Sequence, residues 1–275
     1  MKQLISLHRI SVSFFITLIS LTSPGADHYR LPAGAGEAGT GYSCIMKNGF
    51  WSSFHNQALL ADNQSFTFGV NYQDRFGISE LGTRTAGVII SSGKTSLGLI
   101  YSHFGYVDYR RNMTGLACGL KLSEKLAAGV QVDYFAEMVP GEYEDVHLVT
   151  GEAGIVFHAT ENTLIGVHLF NPVPGSLTKN SMPATLRIGA GTNLNNLLFA
   201  GAETEMSSGN PIILRMGFEY EAAKKIWLRS GFSTENNSFS FGIGCLAKFI
   251  KIDLAFSTHE RLGITSSASL IFKIH

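Results

Sequence analysis

Charge is sparse in this chain and balanced where it occurs: 15% of its 275 residues are charged, with 21 Lys+Arg against 21 Asp+Glu. No excess of one sign favours nucleic acid or an anionic surface as partner. Long apolar runs are lacking as well. Beyond the N-terminus no stretch approaches the roughly 18 apolar residues of a membrane-crossing helix, which excludes a helical membrane bundle. Cysteine is rare. Cys44, Cys118 and Cys245 are odd in number and widely spaced, which argues against a disulfide framework, and neither they nor the nine histidines cluster as metal ligands. No metal or cofactor is expected. A G-x-S-x-G elbow is also missing, and no nucleophile can be named with its base, so an enzyme is not expected.

What the chain does have begins with a secretory signal over residues 1–26. Lys2 and Arg9 supply its positive start, Ile10 to Leu21 its apolar stretch, and Ser23 to Ala26 a zone of small residues for cleavage. No cysteine follows that zone, so a lipoprotein is not implied. This reading sends the mature chain through Sec-type export towards the bacterial outer membrane.

From residue 64 to 275 one unit repeats: a stretch with period 2, a polar or glycine turn, and another such stretch. Leu126, Ala128, Val130, Val132 and Tyr134 are apolar, whereas Ala127, Gly129, Gln131 and Asp133 between them are small or polar. Ile212, Leu214, Met216, Phe218 and Tyr220 likewise oppose Arg215, Gly217, Glu219 and Glu221. One face suits lipid and the other an enclosed lumen, over the roughly ten residues a tilted membrane strand needs. The pattern predicts an all-β fold, a transmembrane antiparallel barrel of about 14 strands. Strand centres are expected near Phe68, Val88, Leu99, Ala117, Val130, Gly154, Val167, Ile188, Ala200, Met216, Gly231, Gly242, Leu254 and Leu270. Ser92-Gly93-Lys94 and Leu194-Asn195-Asn196 read as tight periplasmic turns, and residues 74–82, 140–146 and 171–183 as longer loops. A soluble β-sandwich also alternates. The signal, the uncharged apolar faces and the small inward residues favour the barrel.

Residues 27–63 lack a clean period of 2. They are glycine-rich over Gly34–Gly41 and then carry Phe50-Trp51-Ser52-Ser53-Phe54 and Asn56-Gln57-Ala58-Leu59-Leu60-Ala61. Such a segment before the first strand is placed to fold into the lumen as a plug, with Phe50, Trp51, Phe54, Asn56, Ala58 and Leu59 as its packing residues.

This arrangement resembles the FadL-type hydrophobic-solute transporters, and especially the smaller PorV/PorQ-type barrels linked to type IX secretion. The resemblance covers most of the mature chain. It rests on the glycine stretch, the aromatic segment and the Asn56 to Ala61 motif, and on later landmarks at Ile165 to Pro172, Met182 to Gly189, Leu228 to Phe232 and Ile252 to Phe256. Gln57 stands where the family pattern has proline, so the hatch turn is expected to differ. The resemblance implies a fourteen-stranded barrel with an N-terminal hatch over residues 27–63. Two roles follow: a passive channel for small hydrophobic solutes, or a non-conducting accessory barrel that docks secretion-system proteins. Membrane lipid is the partner in either case.

Among polar residues, Arg187, Glu203, Glu205, Arg215, Glu219, Glu221, Arg229, Lys251 and Asp253 all fall on inward positions of late strands, where opposite charges pair across the wall. His168, on an inward face between Val167 and Leu169, reads as a hydrogen-bonded lumen histidine. The Gly34-Ala35-Gly36-Glu37-Ala38-Gly39 run fits G-x-G-x-x-G, but without a strand before it a dinucleotide site is not supported. Phe199 and Trp227 join the hatch aromatics as candidate contacts for an apolar solute.

Overall fold

A computed structural model describes residues 33–63, 65–138, 145–172 and 182–274. The expected signal and the first residues of the expected hatch lie outside them. Fourteen strands run in chain order: β1 (Phe66–Asp74), β2 (Thr83–Ser92), β3 (Thr95–Tyr106), β4 (Tyr109–Lys121), β5 (Leu126–Met138), β6 (Val146–His158), β7 (Thr163–Phe170), β8 (Thr185–Asn195), β9 (Leu198–Ser207), β10 (Ile213–Ala223), β11 (Ile226–Ser233), β12 (Ser238–Ala247), β13 (Ile250–His259) and β14 (Gly263–Ile274). Each is antiparallel to its chain neighbours, and β1 pairs with β14 from Phe66↔Ile274 to Asp74↔Ser266, which closes the sheet. Closure leaves no unpaired strand edge, the condition for a sheet to cross lipid. A two-layer sandwich is thereby excluded. All fourteen expected strand centres fall within strands.

The exposure pattern is inside-out relative to a soluble protein. Val130 and Val132 are each 58% exposed, while Gln131 and Asp133 beside them are 2% and 0% exposed. A belt of bare leucine, valine, isoleucine and phenylalanine surrounds the sheet and is stable only against hydrocarbon. Leu116, 65% exposed in mid-strand β4, therefore faces the bilayer interior. Leu116→Arg is expected to destabilise the folded barrel by roughly 2–4 kcal/mol, read as a lower denaturant midpoint in lipid vesicles.

The two rims differ. At one, Gly93-Lys94, Lys224-Lys225 and Lys248-Phe249 alone join their strands, and both ends of the barrel chain lie here. At the other, the connections include residues 75–82, with a 3-10 turn at Ser79–Leu81, and the longer stretches 139–145 and 171–184, which are described only in part. One expected turn is shifted: β8 continues through Asn195 with a bulge after Asn193, and Asn195 Oδ1 accepts from the N–H groups of Leu197 and Leu198, so the turn proper is Asn196-Leu197. The asparagine side chain replaces a ladder bond and lets the strand run on.

Residues 33–63 lie inside the barrel. They form a short helix α1 (Ala35–Gly39) and two 3-10 helices, Ser52–Phe54 and Gln57–Asp62. Ile45, Met46, Trp51, Leu59 and Leu60 are all exposed by 1% or less. The lumen is therefore the core of the molecule.

Candidate functional site: the filled lumen

Inward glycines decide where the inner segment lies. Gly69 faces Gly87 across β1–β2, Gly119 faces Gly129 and Gly129 faces Gly154 across β4–β6, and Gly191, Gly201, Gly217 and Gly231 follow one another across β8–β11. A Cβ at Gly129 would stand closer than 3.0 Å to the backbone of Gln57 and Ala58, one at Gly217 2.6 Å from Thr40 O, and one at Gly119 2.7 Å from Gln57 O. These positions lack side chains because another backbone occupies that space. The segment winds past the whole wall: Phe50 and Phe54 meet β1–β3, Leu60 β4, Gln57 and Asn56 β5 and β6, Ile45 β7, Met46 β8 and β9, Thr40 β10 and β11, and α1 β12–β14. It touches every strand. The G-x-G-x-x-G run is α1 itself, whose Gly39 packs on Gly242 while Gly36 leaves room beside Arg229 and Asp253. Among the described residues no strand precedes α1, so no strand–turn–helix phosphate cradle is formed.

On β8–β13 the wall is ionic. Arg187 Nε donates to Glu203 Oε1 at 2.7 Å, and Arg215 Nη1 donates to Glu205 Oε2 at 2.6 Å and lies 3.7 Å from Glu203. Arg229 bridges Glu219 at 2.5 Å and Asp253 at 2.7 Å, and Lys251 approaches Asp253 at 3.9 Å. Each residue named from the sequence as a lumen charge is thus inward and paired, except Glu221, which caps the turn by accepting from the N–H of Lys225. The inner segment completes the network. Glu203 Oε2 accepts from the N–H groups of Cys44 and Ile45, Arg187 Nη2 donates to Tyr42 O at 3.0 Å, and Lys47 Nζ meets Glu219 at 2.7 Å. The side chain of Glu37 turns inward on its own segment, accepting from Ser52 N and Oγ. Burial pushes the Cys44 thiol up to about 12, so it packs as an unreactive small apolar group.

On β5–β7 the segment is clamped by Asn56 and Gln57. Asn56 Nδ2 donates to the carbonyls of Ile45 (2.8 Å), Ile155 (3.3 Å) and Val167 (3.4 Å), while its Oδ1 caps the second 3-10 helix at Ala58 N. Gln57, at the position where proline was the pattern, opens that helix and donates through Nε2 to Glu152 Oε2 at 2.5 Å. Proline would supply a fixed φ there but no donor. The same carboxylate binds His168 Nε2 at 2.9 Å, on the inward face as expected. Ala58 and Leu59 pack on Ala127, Val156 and Leu164. Asn56→Ala is expected to leave the barrel folded but lower its stability by about 1 kcal/mol through the lost cap, and by more where the Ile155 and Val167 carbonyls are stranded; thermal unfolding in detergent measures it.

On the β2–β7 side the lumen holds the largest apolar cluster, set among polar inward residues such as Asn71, Thr85, Ser102 and Arg111. Phe50, Trp51 and Phe54 make edge-on contacts (centroids 4.8 and 5.6 Å) and join Ile100, Met113, Phe135, Leu148, Phe170 and Met182. Phe54, Ile100, Met113, Phe135 and Phe170, with His55 and Glu152 as polar members, surround a cavity of about 20 Å³, room for one water-sized molecule. Phe199 and Trp227 do not belong to this cluster. They sit in the ionic half under Lys47 (5.6 Å) and Lys251 (5.2 Å), so cation–π contact, rather than an apolar surface, explains them.

Sequence reasoning did not single out Tyr42, Glu37 and Lys47, or the buried trio Gln131, Asp133 and Glu152. Period 2 had already turned Gln131 and Asp133 inward; nothing along the chain showed what they would meet.

Solved structures with this fold include FadL-type barrels. A Pseudomonas aeruginosa FadL homologue aligns with a TM-score of 0.63 at 14% identity, over 94% of this chain and 100% of its own. The Pseudomonas putida toluene transporter TodX aligns with a TM-score of 0.61 at 11% identity, over 80% and 93%, and a TodX variant described as a monoaromatic hydrocarbon channel with 0.63 at 14%, over 87% and 97%. No protein-family model matches the chain, and no curated protein matches it. The likeness supports the FadL-like fold; the narrower resemblance to PorV/PorQ-type barrels gains no support from it.

Proposed function

We propose that this chain is a passive outer-membrane channel for small hydrophobic solutes, with residues 33–63 as its hatch. The observation that carries the reading is the division of the lumen: against the hatch on the β2–β7 side lies an aromatic and aliphatic cluster, edged by the polar His55, Glu152 and Arg111, whereas the hatch is tied to the rest of the wall by polar bonds. A solute entering at Met182 and Phe170 meets Phe135, Met113 and Ile100 before Phe54, and advances only when the hatch yields. An aromatic and aliphatic lining lowers the free energy of such a solute by roughly 25 cal/mol per Å² buried. The solved relatives in fold include TodX, described as a toluene transporter and, in variant form, as a monoaromatic hydrocarbon channel. No observation favours the secretion-linked role.

Uptake of labelled toluene at low concentration, by cells with an intact outer membrane displaying or lacking the protein, tests the reading. A saturable rise in uptake is expected, abolished by Met113→Arg, which puts a charge in the apolar cluster. An uptake rate indifferent to both the protein and the substitution refutes it.

A further inference from the structure

The lipid-facing surface is uneven around the barrel. At the long-loop rim of β2–β6 it carries Arg84, His103, Arg110 and His147. Tyr72, Arg84, His103 and Asn112 are successive register partners across β1–β4, and Ala136 and His147 continue the row over β5 and β6; Arg110 lies two residues nearer the rim than Asn112. At the same rim of the other half the outward residues are Leu186, Met206, Leu214, Phe239 and Ile264, with no charge among them.

The basic patch is ordered by its own polar contacts. Arg84 lies over the Tyr72 ring, 5.8 Å from its centroid. Asn112 Oδ1 is hydrogen-bonded to Tyr101 OH at 3.0 Å and to His103 Nδ1 at 2.8 Å, which leaves the Asn112 amide hydrogens for another acceptor. Tyr134 OH meets His147 Nδ1 at 2.8 Å, the rings stacked at 5.9 Å. Arg110 Nε contacts only Met138 Sδ, at 3.2 Å, and among the described residues neither arginine has a carboxylate within ion-pair distance. Two exposed guanidinium groups, aromatic hydroxyls and an amide therefore line the bilayer side of β1–β5 at one rim, Arg84 leaning to β1 and Arg110 to β5, and among the described residues neither arginine is paired with a carboxylate, Asp74 on β1 included. Directly beneath them on the same strands lie Leu97, Leu99, Leu116, Val130 and Val132, exposed to hydrocarbon. An anion that reaches this patch has its apolar part in that belt.

We infer that β2–β6 carry a binding site for a phosphate-bearing lipid of the outer leaflet, its acyl chains on the apolar belt and its phosphate groups on the separate Arg84 and Arg110 guanidinium groups. Guanidinium forks match phosphate oxygens two bonds at a time, and a cation at an anionic membrane surface strengthens attachment about fivefold. The patch is a lipid site rather than a site for free phosphate because it stands on the side wall, below the loop tips. It is independent of whatever passes through the lumen.

Native mass spectrometry of the detergent-purified full chain tests it, with bisphosphorylated lipid A, its dephosphorylated form and inorganic phosphate as probes. Retention of the phosphorylated lipid, little of the dephosphorylated one and no competition by equimolar phosphate is expected. Arg84→Gln and Arg110→Gln should each weaken retention about fivefold, while Lys248→Gln at the opposite rim should not; heat-modifiable gel mobility confirms folding of each variant. Equal retention of both lipids by the unsubstituted chain, displacement by inorganic phosphate, or unchanged binding in both folded arginine variants would overturn the site.

Discussion

Glu203→Gln is expected to lower the stability of the folded barrel, by up to about 3 kcal/mol, because it removes the closest counter-charge of Arg187 and leaves only the longer 3.6 Å contact to Glu205. Arg187 and Glu203 are 0% and 3% exposed, so water cannot replace the lost partner. Glu203 also holds the inner segment directly, through the N–H groups of Cys44 and Ile45. Arg215, 3.7 Å away, is left with Glu205 and Glu235. The variant should therefore unfold at lower denaturant in vesicles and should expose the chain near Cys44 to thiol reagents. Pairing it with Arg187→Met, which removes the remaining charge as well, should recover much of the loss, since an apolar replacement of a buried ion pair is often neutral. If the single and double variants are equally unstable, the ion pair is not what holds the segment.

Gly129→Val is expected to expel the inner segment rather than unfold the barrel. The new Cβ stands closer than 3.0 Å to the Gln57 carbonyl and the Ala58 nitrogen, and these are backbone atoms that cannot rotate aside. Overpacking of this kind costs typically 1–3 kcal/mol, and here the strain is relieved if the segment leaves while the fourteen-strand ladder stays intact. Gly151→Val is the control: on the outward face of β6, its added Cβ meets no atom of the inner segment within 4 Å, only Gln131 O at 3.6 Å. Limited proteolysis should cut residues 33–63 in the position 129 variant and not in the control. Equal resistance in both would mean that the segment does not depend on the glycine belt.

The barrel was readable because one physical demand, lipid outside and lumen inside, is imposed on every strand and leaves a period of 2 that short windows detect. Val130 and Val132 against Gln131 and Asp133 show it in miniature. Strand ends were less readable: Asn195 looked like a turn residue and is one, but its side chain forms the turn while its backbone still extends β8. The inner segment was harder. Its burial was foreshadowed by Phe50, Trp51 and Phe54, yet its bonds to the wall join residues such as Cys44 and Glu203, 159 positions apart, whose meeting depends on barrel closure and not on local pattern. The glycines facing inward were visible as small residues, whereas the backbone lying against them was not. Gln57 shows how a departure from a motif acquires meaning: the proline it replaces has no donor, and Gln57 uses one to reach Glu152.

The account depends on residues 33–63 being the part that closes a lumen wide enough to conduct. Ion conductance of the purified protein in a planar bilayer, with and without those residues, measures this directly. The intact chain should show no steady conductance, and the shortened chain, folded to the same barrel, should form a stable open pore. A shortened barrel as silent as the intact one would contradict it.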